Sequence, residues 1–214
     1  MLVKDFIKEV KSGGLDNLFK NIYKPIDIEN QKIRYISAVE KFTALYPNRE
    51  EIHVYSAPGR TEIGGNHTDH QHGCVLAGAV NLDVIGITSF HNEKIIRIKS
   101  EGYEEFAVSL KDLDIHIDEK GSSAIAVNEA EFGTTSALIK GVIAGMNDHG
   151  YKTGPFKAYV TSDVLNGAGL SSSAAFETLI ATAIDRYYNQ NRTGPVEIAK
   201  IGQYAENYYF GKKS

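Results

Sequence analysis

The residues best suited to chemistry lie at Gly167-Ala168-Gly169-Leu170-Ser171-Ser172-Ser173, just ahead of a helical run. Apolar residues recur at Phe176, Leu179, Ile180, Ala183, Ile184 and Tyr187, one face of a 3.6-residue period. The glycines and hydroxyls are therefore expected at a helix N-terminus, where unpaired backbone N–H groups and the positive dipole end attract anions. Glycine lets a phosphate approach the backbone closely, and serine hydroxyls can meet phosphate oxygens or magnesium. The plain alternative is an ordinary loop with a serine cap. The stretch lacks the Gly-Lys-Ser/Thr ending of a P-loop.

A second concentration runs from Ala57 to Gly73: Ala57-Pro58-Gly59-Arg60-Thr61-Glu62-Ile63-Gly64-Gly65-Asn66-His67-Thr68-Asp69-His70-Gln71-His72-Gly73. Its glycines and its place after a strand predict a loop on a rigid scaffold. Asn66, His67 and Asp69 can hydrogen-bond hydroxyl groups, and Arg60 is a fixed cation suited to phosphate oxygens. Three other readings compete. His67, Asp69, His70 and His72 could bind a metal, but the spacing matches no common closed zinc pattern. A solvated turn with satisfied histidines is the bland reading. A Ser–His–Asp hydrolase fails for want of a Gly-x-Ser-x-Gly elbow.

The elements that must position these residues are legible in part. Val3, Phe6, Ile7 and Val10 define one short helix, and Leu15, Leu18, Phe19 and Ile22 a second. A third helix is predicted over about 29–46, with Ile33, Ile36, Val39 and Phe42 inward, and Pro47-Asn48 ends it. Strands are predicted at Ile52–Tyr55, Val84–His91, Ile95–Lys99, Phe106–Leu110 and Phe156–Ser162, with His91–Lys94 as a hairpin turn. Residues 111–132 are polar and weakly periodic, a surface excursion. A helix over Thr134–Asp148 turns Leu138, Val142, Ile143 and Met146 inward, and a last one runs from Pro195 to about Tyr209. The elements do not alternate regularly, which favours an α+β fold over a doubly wound sheet.

Composition narrows the partners. The chain has 214 residues, 42% hydrophobic and 23% charged, enough apolar content for a proper core. A net charge of -4 without a basic stripe argues against nucleic acid as a main partner. The single cysteine, Cys74, excludes an intramolecular disulfide framework and suits a reducing cytoplasm. No signal-like apolar run opens the sequence, and none is long enough to span a membrane.

Together the motifs resemble the galactokinase branch of the GHMP family of small-molecule kinases. Pro58-Gly59-Arg60 with Gly65-Asn66-His67-Thr68-Asp69 is similar to that branch's signature. Gly169-Leu170-Ser171-Ser172-Ser173-Ala174-Ala175 matches the family's phosphate loop. Ala205-Glu206-Asn207-Tyr208-Tyr209-Phe210-Gly211 resembles a third family motif. The likeness covers roughly residues 52–214; residues 1–50, expected as a helical segment, carry only a weak one. It implies a mixed β-sheet covered by helices. It also implies ATP as phosphoryl donor, magnesium, and galactose or a related sugar as acceptor at its anomeric hydroxyl.

The resemblance assigns roles residue by residue. Arg60 would stabilise the transferred group. Asn66, His67 and Asp69 would hold sugar hydroxyls. Gly167, Ala168, Gly169, Leu170, Ser171, Ser172 and Ser173 would cradle the ATP phosphates. Ser173 and Glu206 would hold magnesium. Tyr204 and Tyr208, which flank Glu206, are expected in the core.

The signature also departs from the pattern. Asn66 stands where the family has Glu, Glu62 where it has Asn, His70 for Tyr and Gly64 for Ile. Asn66 can still accept a hydroxyl, through a neutral bond about half as strong as a charge-assisted one. Glu62 and Asn66 could be a compensating swap. These changes leave open a kinase for another sugar, such as N-acetylgalactosamine, or a non-catalytic sugar and ATP sensor of the same family. The family's third motif continues to a Gly-x-x-Asp segment that carries the catalytic base, and Ser214 precedes it. The resemblance therefore implies an N-terminal portion, inactive alone, whose partner is a C-terminal domain of the same protein.

Overall fold

The computed structural model describes residues 1–65, 73–111, 115–117, 123–125, 127–165 and 169–212. Three helices come first: α1 (Val3–Ser12), α2 (Asp16–Ile22) and α3 (Ile28–Leu45). Four strands follow, β1 (His53–Gly64), β2 (Leu76–Phe90), β3 (Ile95–Ser100) and β4 (Glu105–Ser109). A two-stranded ribbon of β5 (Ile115–Ile117) and β6 (Ser123–Ile125) lies within the stretch expected as a surface excursion. Then come α4 (Thr135–Asp148), β7 (Phe156–Ser162), α5 (Ser172–Tyr188) and α6 (Pro195–Tyr204). The last passes into a wider π-type turn over Ala205–Phe210.

The main sheet has the order β1-β2-β7-β3-β4 and is mixed: β7 runs antiparallel to β2 and parallel to β3. The α+β class stands. The hairpin expected at His91–Lys94 does not form, because β7 inserts between β2 and β3 and pairs with both. Turn residues between two apolar runs signal a reversal, but they cannot show that a distant strand fills the gap.

Each face of the sheet carries its own core. On one side Val84, Ile98, Phe156, Ala158 and Val160 pack against α4, α5 and α6 through residues such as Ile139, Leu179, Ile180 and Ile201. On the other, Ile85, Ile87 and Tyr159 meet Phe42, Val39 and Phe19 of the first helices. Burial on both faces explains why Val84–Thr88 lacks polar alternation. Each fully buried large apolar side chain contributes roughly 1.5–3 kcal/mol.

Some inward assignments fail at the layer edges. Leu18 and Ile33, the latter 66% exposed, face outward, as does Tyr187. A helix lying on one sheet face buries only a narrow apolar stripe, so the extra apolar residue of each period is left at the rim. Tyr187 instead stacks on Phe90, with ring centroids 3.8 Å apart.

The stretch from Ala57 to Gly64, expected as loop, is strand. It continues β1 and pairs with Leu76–Val84 of β2, with register shifts between Pro58 and Arg60 and between Glu62 and Gly64. Pro58 fits because β1 is an edge strand and needs no amide donor on its open side. The irregularities re-aim side chains without ending the pairing.

Candidate active site

Gly169, Leu170, Ser171, Ser172 and Ser173 lie where α5 begins, at the helix N-terminus the sequence predicts. Ser171 caps α5 from the left-handed region, with φ 53° and ψ 56°, and its side chain makes no capping hydrogen bond. Gly169, two residues earlier, is also left-handed, with φ 73°. A left-handed serine is uncommon and costs energy, and such strain gathers at functional turns. Gly167 and Ala168 lie outside the described residues.

Two other motifs meet this turn. The Arg60 N–H donates to the Leu170 carbonyl at 3.0 Å, tying the Pro-Gly-Arg strand to the turn before α5. Gly59 makes the approach possible, since a Cβ there would lie 2.9 Å from the Leu170 oxygen and 3.1 Å from Val164. From the other side, the Ser173 hydroxyl donates to Glu206 Oε1. Glu206 is 7% exposed and stands in the π-type turn after α6, an irregularity common at functional sites. Helix α4 braces that turn closely: a Cβ on Gly141 would lie 2.8 Å from Ala205.

The turn opens on a cleft of about 530 Å³. Ser172, Ser173, Thr135, Phe176, Phe210 and Lys212 are among its walls. The volume suits a small ligand, and the mixture of hydroxyls, aromatic faces and one ammonium suits a phosphorylated one. Ser173 and Glu206 offer a hydroxyl and a carboxylate oxygen side by side. That hard oxygen pair fits a magnesium ion, which takes one or two protein oxygens and completes its shell with phosphates and water.

Sequence reading missed Glu177. It is 2% exposed, its Oε1 has no hydrogen-bond partner among the described residues, and burial followed by the neighbouring Glu206 charge pushes its carboxyl up to about 9. Lys212 opposes that rise. The signal was present: a Glu four residues after Ser173 shares its helix face, inside an apolar run. Tyr208, expected in the core, is 60% exposed, while Tyr209 is the buried tyrosine of this turn. The wider π-type winding rotates the face that a regular helix would bury. Asn66, His67 and Asp69, with His70 and His72, lie outside the described residues.

Comparison with known proteins agrees with this geometry. Residues 40–90 match the galactokinase galactose-binding signature, and residues 137–214 match the GHMP kinases N terminal domain. Over residues 137–214 the chain is thus similar to the GHMP kinases. Among relatives, a galactokinase from Lactococcus lactis subsp. lactis is 28% identical over 191 residues, 88% of this chain and 44% of the relative. One from Clostridium tetani is 31% identical over 80% of this chain and 40% of its own length. One from Pyrococcus furiosus is 33% identical over 72% of this chain and 39% of its own length.

The chain spans less than half the length of the curated relatives it matches. Among solved structures, Lactococcus lactis galactokinase complexed with galactose superposes with a TM-score of 0.69 at 24% identity, over 82% of this chain and 42% of that one. The mevalonate kinase of Methanococcus jannaschii gives 0.58 at 21% identity, over 77% and 49%. Both share the fold. No helix among the described residues is long and apolar enough to cross a membrane.

Proposed function

We propose that this chain supplies the phosphate-binding half of a galactokinase, which transfers the γ-phosphoryl of ATP to the anomeric hydroxyl of galactose. The Ser173–Glu206 hydrogen bond beside the left-handed Ser171 turn carries the reading, because it sets a metal-type oxygen pair against an anion-type turn. The galactokinase signature over residues 40–90 and the named relatives support galactose over other acceptors.

Each residue then has a defined task. Backbone N–H groups at the start of α5 would hold the triphosphate, with Gly167, Ala168, Gly169, Leu170, Ser171, Ser172 and Ser173 as the cradle. Ser173 and Glu206 would hold magnesium, which when bound neutralises charge on the phosphates. Arg60, fixed against Leu170 through its backbone, would set its guanidinium beside the transferred group. Asn66, His67 and Asp69 would receive the sugar hydroxyls. Phosphoryl transfer asks mainly for positioning and charge neutralisation, and these residues are suited to both.

The test is product analysis with the whole protein that carries this chain, supplied with Mg·ATP and a hexose panel. Galactose 1-phosphate as the preferred product is the expected result. Preferred turnover of N-acetylgalactosamine, or sugar-dependent ATP binding without turnover, would replace this reading with one of its family alternatives.

A further inference from the structure

A buried polar cluster sits behind the site, where the first helices meet the sheet. Asp83 of β2 is 2% exposed and accepts three side-chain hydrogen bonds: from Arg34 at 2.6 Å, from Tyr23 at 2.5 Å and from Ser56. Tyr23 also pairs with the Tyr35 hydroxyl at 2.9 Å. The Arg34 guanidinium reaches further. Its second amino group donates to the carbonyls of Asp83 at 2.9 Å and Thr161 at 3.4 Å, and its first lies 3.1 Å from the Asp163 carboxylate.

Such a fork does more than neutralise Asp83. Thr161 lies at the end of β7, the strand that leads to the phosphate turn, Asp163 follows directly after it, and the Asp163 N–H itself donates to the Asp83 carbonyl at 3.0 Å. Asp83 also faces Pro58 across the β1–β2 ladder, one residue before Gly59. One guanidinium therefore grips the middle of β2 and the end of β7 together. Beyond the grip, Val164 packs on Gly59, and Leu170 accepts the Arg60 amide.

We infer that Arg34 is a positioning residue: by clamping β2 and the end of β7, it fixes the spacing between Arg60 and the Gly169–Ser173 turn. The importance of that spacing rests on the phosphoryl-transfer reading; the clamp itself does not. Lysine cannot replace the residue, since a point ammonium lacks the planar fork that spans two carbonyls and two carboxylates. The helical layer would thus act on the site from the opposite face of the sheet, without touching a ligand.

Amide hydrogen exchange on this chain tests the clamp directly. The Arg60 amide reports its bond to Leu170, and the Val142 amide in the middle of α4 reports global opening. Arg34→Lys is expected to speed exchange at Arg60 about tenfold more than at Val142. Tyr23→Phe, which keeps the ring and loses one bond to Asp83, is a milder variant in case the first folds poorly, and it should act in the same direction. Phe42→Leu, a pure packing change in the same helix, should move both amides together. Unchanged relative protection at Arg60 in both clamp variants would overturn the inference, and so would an Arg60-specific loss in Phe42→Leu. Titration with Mg·ADP adds a separate arm. Failure of the unaltered chain to bind it would count against the phosphoryl-transfer reading and leave the exchange result standing.

Discussion

The Arg60 amide and the Leu170 carbonyl are 3.0 Å apart, joined by a hydrogen bond that spans 110 residues of sequence. It joins the Pro-Gly-Arg strand to the turn before α5. Gly59 allows the contact, because a side chain there would press on the Leu170 oxygen and on Val164. Gly59→Ala should therefore cost about 1–3 kcal/mol of stability. It should also weaken nucleotide binding in the fraction that stays folded. Denaturant unfolding and calorimetric titration of the same preparation check both effects.

The buried Glu177 gives the chain a pH signature. Its folded value, about 9, lies above the ordinary carboxylate value of 4.5, so over that window the folded state holds a proton that the unfolded state has released. Stability from this group is present below the lower value and is lost as pH rises toward the upper one. Glu177→Gln removes the loss. In metal-free buffer the variant should gain on the parent by up to about 4 kcal/mol between about pH 5 and about pH 8, at about 1.4 kcal/mol per pH unit. Parallel stability curves for the two proteins would show that burial does not hold this proton.

The first three helices share a core with the sheet, with Phe42 fully buried against a layer that includes Ile85, Ile87 and Tyr159. Phe42→Ala should cost about 3–5 kcal/mol. Loss of the helical layer should also carry the sheet with it in one transition. Helix signal by circular dichroism and tyrosine fluorescence followed together in urea test this. Two separated transitions would mean that the layers are energetically independent.

Much of this site was readable from residue order. The helix after the Gly169–Ser173 turn, the motif at Glu206 and the strand at Phe156–Ser162 rest on local period and punctuation, and local signals survive folding. What stayed hidden depends on distant partners. Ala57–Gly64 looks like loop because Pro58, Gly59 and Gly64 break strand propensity; its pairing with β2 and its place at the sheet edge override that local preference. The insertion of β7 between β2 and β3 is a fact of topology that no local turn reveals. Glu177 stands in an apolar run, but its near-complete burial against Gly202 of α6 and beside the Glu206 charge is set by the fold. Arg34 is one of many helix cations, and only the fold shows that Asp83 of β2 and the end of β7 meet it.

The central claim is that the Ser171 turn and Glu206 form one magnesium–nucleotide site, and Glu206→Gln tests it most directly. A non-hydrolysable ATP analogue should be titrated by calorimetry into the chain and into this variant, each with and without magnesium. The account predicts that magnesium tightens binding to the unaltered chain. It predicts that the variant loses about 10–100-fold in affinity with magnesium and binds the metal-free analogue as the parent does. Equal affinity of both proteins for the magnesium complex would contradict it.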